Sequence, residues 1–313
     1  MHLPIEICIP QAMSTISCPR SFEIFRTPLT LITVTYHCYP HLKPTSSDPD
    51  PPRQPTILNM ADTDNQMGVY KPAPPGALRT PCPVLNALAN HGYIPRDGRD
   101  MTSAQLSAAF RYLGFGPDTT SFLVGGAFKV HADDPPAGSS TSRLGLRDAD
   151  EINSNGTPVL NLNQIGRPHA VEHDVSITRQ DRELGNCIIL QPQLLQAFLA
   201  CPANGHAFTS SDIGRFRRER YDQQKRDNAQ LDFDPAKHQL ACGEIGAFQG
   251  IFGKGLSYSI PIAYVKAMFE DERLPFEEGW TPRRTPLLFP ELWLLLKLIS
   301  NRAWPFSTST KQP

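Results

Sequence analysis

The chain has 313 residues, with 30 lysines and arginines against 31 aspartates and glutamates and a net charge of -1. That balance gives no bulk electrostatic attraction for nucleic acid or an anionic membrane, so partners must be recognised at sites. The longest strongly apolar run, LWLLLKLI at 292–299, falls far short of the roughly 20 residues that a membrane-spanning helix needs, so a soluble protein is expected.

Seven cysteines, at 8, 18, 38, 82, 187, 201 and 242, are odd in number and lack CxxC spacing. This argues against a disulfide framework and a zinc knuckle, and leaves at least one thiol free or ligating. The opening MHLPIEICIP has neither a basic n-region nor an uninterrupted apolar stretch, so no clear secretory signal is read. The compartment stays open, with an intracellular location allowed. Residues 1–65 are rich in Pro, Ser and Thr and are predicted to form a disordered extension; residues 66–313 form the folded domain.

The first helix is predicted from Pro83 to about His91, with Gly92 suited to the left-handed position after it. It follows TPCP, which places Cys82 at the N-cap. Pro83 then loses nothing by lacking an N–H. The backbone N–H groups of Val84 and Leu85 point back at the sulfur, where they and the helix dipole lower the thiol pKa. A thiolate held in this way can ligate a metal or act as a nucleophile, and a small buried residue in a Pro-bounded turn is the structural alternative.

A second helix follows, capped by Thr102 or Ser103, with Leu106, Phe110 and Leu113 at helical spacing. Further helices are predicted at 118–131, 193–201, 211–227, 235–252, 261–271 and 289–300, and strand alternation is scarce. The fold class is therefore all-α with long loops rich in Pro and Gly. In the 211–227 helix, Glu219, Asp222 and Asp227 interleave with arginines, which reads as a solvated face.

Two further stretches carry chemistry. HAVEHDVSITRQD at 169–181 sets Glu172, His173, Asp174 and Ser176 within five positions; a carboxylate, a hydroxyl and a backbone carbonyl together suit a hard cation or a helix cap. HQLACGEIGAFQGIFG at 238–253 puts Glu244 in the middle of a small, apolar helix, where a carboxylate is costly unless partnered, protonated or functional. Ala247, Phe248, Ile251 and Phe252 extend an apolar wall from Glu244. Phe248 and Ile251 are the candidate channel-lining residues by spacing.

Together these elements resemble the fungal haem-thiolate peroxidases, the family of chloroperoxidase and the unspecific peroxygenases. Pro81-Cys82-Pro83, then Glu172-His173-Asp174 with Ser176, then Glu244 reproduce the order of its shorter branch; the longer branch has Gly in place of the His and adds a distal Arg. Similarity continues into LNALANHGYIPRDGR after the cysteine and ERLPFEEGW at 272–280.

The resemblance implies a chloroperoxidase-like helical domain around haem b, with Cys82 as the axial iron ligand. Glu172, the backbone oxygen of His173 and the Ser176 hydroxyl would hold a structural Mg²⁺ or Mn²⁺. Glu244 would be the distal acid–base residue, positioned by the His173 side chain. The implied reaction uses hydrogen peroxide to oxygenate or oxidise a small organic substrate, or a halide, through a ferryl porphyrin radical. Family members are mostly secreted, and the sequon Asn155-Gly156-Thr157 is a glycosylation site only on that route.

Two other readings stand beside this one. His169, Glu172 and His173 also spell H-x-x-E-H, an inverted zinc-peptidase signature that Glu244 could complete. A catalytically inactive helical binding domain of the same fold is the second. His91, in the last turn of its helix, is expected to cap the negative end of the dipole as a cation. Cys187, Cys201, Cys242, Trp280 and Trp293 are expected in the core.

Overall fold

A computed structural model describes residues 66–306. The predicted extension at 1–65 lies outside these residues, as do 307–313. Among the described residues the chain forms α1 (Pro83–Asn90), α2 (Ser103–Leu113), α3 (Pro117–Ala127), α4 (Pro192–Leu199), α5 (Ser210–Asp227), α6 (Pro235–Phe252), α7 (Ile262–Phe269) and α8 (Phe289–Ala303). Three two-residue ladders join β1 (Met101–Thr102) to β4 (Val159–Leu160), β2 (Val130–His131) to β3 (Thr141–Ser142) and β5 (Ala207–Phe208) to β6 (Ile260–Pro261). The fold is all-α, as the periodicity predicts, and no described helix is long and apolar enough to cross a membrane.

Local chemistry sets the helix starts. Proline opens α1, α3, α4 and α6 at the first helical position, where its fixed φ is already helical. Thr102 caps α2 with a reciprocal pair: its hydroxyl accepts from Gln105 N at 3.2 Å, and Gln105 Oε1 accepts from Thr102 N at 2.9 Å. The predicted 118–131 helix stops at Ala127, because Val130 and His131 leave it to pair with Thr141 and Ser142. Gly92 takes the left-handed conformation, φ 72°, that the first helix needs to end.

His91 departs from expectation. It is buried, and Nδ1 donates to Gly68 O at 2.9 Å while Nε2 accepts from Leu274 N at 3.1 Å. One ring nitrogen donating and the other accepting defines a neutral imidazole. Burial depresses its pKa, helped by the charges of Arg96 and Arg273, so the ring ties three segments together instead of serving as a cationic cap. Trp280 is in the core, donating to Ile251 O at 3.2 Å. Trp293 is not: it is 52% exposed on α8, with Lys297 Nζ 5.2 Å from its ring centre.

Helix α6 lies against α8 along a stripe of Gly243, Gly246 and Gly250, spaced i, i+3 and i+7. A Cβ at Gly246 would stand 3.2 Å from Leu296 N, and one at Gly250 would stand 2.7 Å from Leu287 Cδ2. The absence of side chains lets the two helices approach closely, and α8 also packs along α5. Gly246→Val is expected to force the helices apart and lower stability by about 1–3 kcal/mol, the usual cost of overpacking a tight interface, measurable by urea denaturation.

Candidate active site

Cys82 sits at the N-cap of α1 with φ −78° and ψ 111°, and Pro83 begins the helix. Its N–H donates to Thr80 Oγ1 at 3.2 Å. Asn86, one turn on, closes the approach: its Oδ1 accepts from Thr80 N at 3.0 Å, and its Nδ2 donates to Thr80 O at 2.8 Å and to Glu272 Oε1 at 2.6 Å. The carbonyl of Pro81 accepts from Arg179 Nε at 3.3 Å and Nη2 at 3.1 Å. The cysteine is thus gripped from both sides by buried hydrogen bonds, which fixes where its sulfur points.

The electrostatics correct the expected pKa. Burial pushes the Cys82 thiol up to about 11, although the N–H groups of Leu85 and Val84 and the Arg179 guanidinium favour the thiolate. Neither N–H makes a full capping hydrogen bond to the sulfur. Desolvation therefore outweighs the helix terminus, and ionisation needs a cation placed on the sulfur itself. Cys82 is half-buried and lines a cavity.

Residues 169–181 form a loop with two non-glycine residues in the left-handed region, His169 (φ 60°) and Val175 (φ 61°). A β-branched residue there is strained. The strain is held by polar contacts: Asp181 Oδ1 accepts from Val175 N at 2.9 Å, and Asp232 N donates to Asp174 Oδ2 at 3.0 Å. Asn228 Nδ2, just past the end of α5, donates to Asp174 and Asp181 at 3.3 and 3.2 Å. Burial and the neighbouring Asp181 charge raise the pKa of Asp174, against the Asp232 N–H.

This loop aims His173 at α6. Its Nδ1 meets Asp174 O at 2.7 Å and its Nε2 meets Glu244 Oε2 at 3.3 Å. A carbonyl only accepts, so Nδ1 carries a proton, and a second proton lies between Nε2 and the carboxylate. Burial works against the imidazolium, but the charge and hydrogen bond of Glu244 lift the His173 pKa above its ordinary value. The pair is equipped to hold a proton and pass it to a bound molecule.

Cys82, Val84, Leu85, Glu172, His173, Ser176, Glu244 and Phe248 all line one cavity of about 330 Å³. Its remaining walls are mostly apolar. Ile251 does not belong there: it is 2% exposed in the core and is not among the lining residues, because i+7 from Glu244 falls short of the face that Ala241, Ile245 and Phe248 present. Glu172 is engaged by Arg182 Nη2 at 2.6 Å. Cys187 and Cys242 are buried, and Cys201 is half-buried.

The H-x-x-E-H reading fails on geometry. Residues 169–173 make turns and not a helix, His169 faces Asp232 at 3.7 Å and is 57% exposed, and His173 turns to Glu244. Among the described residues no three His, Cys, Asp or Glu side chains gather to hold a metal.

Arg179, Arg182 and Arg217 are the site residues that motif reading passes over. The α5 helix does expose Arg215–Glu219 and Arg218–Asp222 pairs, but Ile213, Phe216, Arg217, Arg220 and Gln224 are buried on its inner face. Their i, i+3, i+4, i+7 and i+11 spacing, which places two arginines on the same face as Ile213 and Phe216, is the signal that could have found Arg217.

Known proteins resemble this chain over most of its described length. The family described as "Peroxidase, family 2" matches residues 68–285. Chloroperoxidase of Leptoxyphium fumago is 29% identical over 70% of this chain and 58% of its own length. Aromatic peroxygenase of Coprinellus radians is 25% identical over 72% of this chain and 85% of its own length. A dothistromin biosynthesis peroxidase of Dothistroma septosporum is 32% identical over 40% of this chain and 30% of its own length. With Cys82 and the His173–Glu244 pair facing one cavity inside a helical domain, the chain belongs to peroxidase family 2, the haem-thiolate peroxidases.

Proposed function

We propose that the protein is a haem-thiolate peroxygenase or peroxidase that uses hydrogen peroxide to oxidise a small organic substrate. The observation that carries this reading is the placing of Cys82 and the His173–Glu244 pair on the walls of one largely apolar cavity. That donor set fits haem: a rigidly held sulfur that ionises on meeting a cation, apolar surface for the ring, and a proton-handling pair. The names of the relatives, chloroperoxidase and aromatic peroxygenase, point the same way.

When bound to the Cys82 thiolate, haem b supplies the chemistry of heterolytic O–O cleavage, which thiolate donation favours. Glu244 acts as the base and then the acid: its carboxylate takes a proton from one peroxide oxygen and returns it to the other, which departs as water. His173 holds the carboxylate in place through Nε2, and its own ring is fixed by the Asp174 carbonyl. Thr80, Asn86 and Arg179 keep Cys82 from shifting. Phe248, Phe110 and Phe269 offer an aromatic-sized, apolar substrate a dry surface.

The cation at Glu172, the His173 carbonyl and Ser176 fits less well. Arg182 already neutralises the Glu172 carboxylate. Mg²⁺ or Mn²⁺ entering that position has to displace the guanidinium, so Arg182→Gln is expected to bind Mn²⁺ more tightly than the wild type, as read by electron paramagnetic resonance titration.

The deciding measurement is the absorption spectrum of the purified protein, ferric and then reduced under carbon monoxide. A strongly red-shifted Soret band is expected, and Cys82→Ala is expected to lose it. A protein that stays colourless after haem supplementation sinks the reading, and one that is coloured but inert to peroxide is the inactive binding domain. Glu244→Gln is expected to keep haem and lose about 10²- to 10⁴-fold in the rate of peroxide consumption, the usual weight of an acid–base residue, by stopped-flow absorbance.

A further inference from the structure

The cavity carries one feature that the peroxide chemistry does not use. Arg217, on the inner face of α5, is only 4% exposed and lines the cavity. No carboxylate among the described residues lies within ion-pair distance of it, its Nε has no hydrogen-bond partner, and the Cys242 thiol is its side-chain neighbour. Glu244 shares the cavity but is engaged with His173. The outer arginines of the helix differ, Arg215 pairing with Asp212 and Arg218 with Asp222, whereas buried Arg220 also lacks a carboxylate but donates to Ser176 O and Gln223 Oε1 and does not line the cavity.

A guanidinium removed from water without an anion costs several kcal/mol, and its planar fork matches a carboxylate better than any other common anionic group except phosphate. The surrounding walls are apolar, which favours an anion attached to a hydrophobic body over a small hydrated ion. We propose that Arg217 is a carboxylate-binding residue of the cavity, holding the acid group of an otherwise apolar ligand. That acid belongs either to the cofactor, as a haem propionate, or to the substrate. The first source rests on the haem reading above, and the second does not.

The test is ligand binding by the full-length protein, wild type and Arg217→Met. The cofactor arm titrates apoprotein with ferric protoporphyrin IX and with its dimethyl ester, following the Soret band. The substrate arm titrates dodecanoate and dodecanamide by calorimetry, into the holoprotein or, if no haem binds, into the protein as purified. Loss of a charge-assisted bidentate contact is expected to weaken the acid by about 10- to 100-fold and leave its neutral counterpart unchanged. Selective loss for protoporphyrin assigns the carboxylate to the cofactor, and selective loss for dodecanoate assigns it to the substrate.

Equal affinities of the wild type for acid and neutral forms in both arms overturn the proposal, and this result does not depend on the variant folding. Arg217→Met binding both acids as tightly as the wild type overturns it too. Failure of the wild type to take up either porphyrin is a different result: it removes the haem reading and leaves dodecanoate to decide Arg217.

Discussion

Two guanidinium groups, those of Arg179 and Arg217, are each only 4% exposed, and no carboxylate is bonded to either. Holding positive charge in an apolar interior is unfavourable unless the surroundings supply negative charge or fixed dipoles. Around Arg179 the protein supplies a carbonyl dipole from Pro81, the more distant Glu272 charge and, once it ionises, the Cys82 sulfur. The electrostatics therefore favour an anion beside each of them: at the Cys82 sulfur near Arg179, and in the cavity that Arg217 lines.

Much of this could be read from the sequence, because the residues involved obey short-range rules. Proline after Cys82 favours a helix start, and Asp234 followed by Pro235 marks the start of α6, whose 18 residues contain no further proline. Cys82, His173 and Glu244 were legible as chemistry because each residue type is costly or unusual in its local context. What was not legible depends on contacts distant in sequence. The pairing of Arg182 with Glu172, the inward turn of Arg217 and the bridge from His91 to Gly68 and Leu274 are decided by packing.

The pKa of Cys82 shows the same limit from another side. A helix N-terminus favours a thiolate, and that inference is sound for a cysteine at a wet surface. In this fold the same terminus opens into an apolar cavity, and burial reverses the net effect. Sequence identifies the donors around a group but not the water that has been removed from it, and the second quantity is the larger here. Trp293 is the converse: an apolar residue in an apolar run that the rotation of α8 leaves half in solvent.

The glycine stripe on the back of α6 gives the cavity an unusual kind of control. Glu244, Ile245 and Phe248 are carried on the front of that helix, while Gly243, Gly246 and Gly250 rest against α8. The helix backbone is therefore a rigid plate whose distance from the opposite wall is set by the thickness of what lies behind it. A methyl group added behind the plate at Gly246 meets Leu296 N at 3.2 Å, so one of the two helices has to yield. Residues that never touch a ligand can in this way adjust the size of molecule admitted between sulfur and carboxylate.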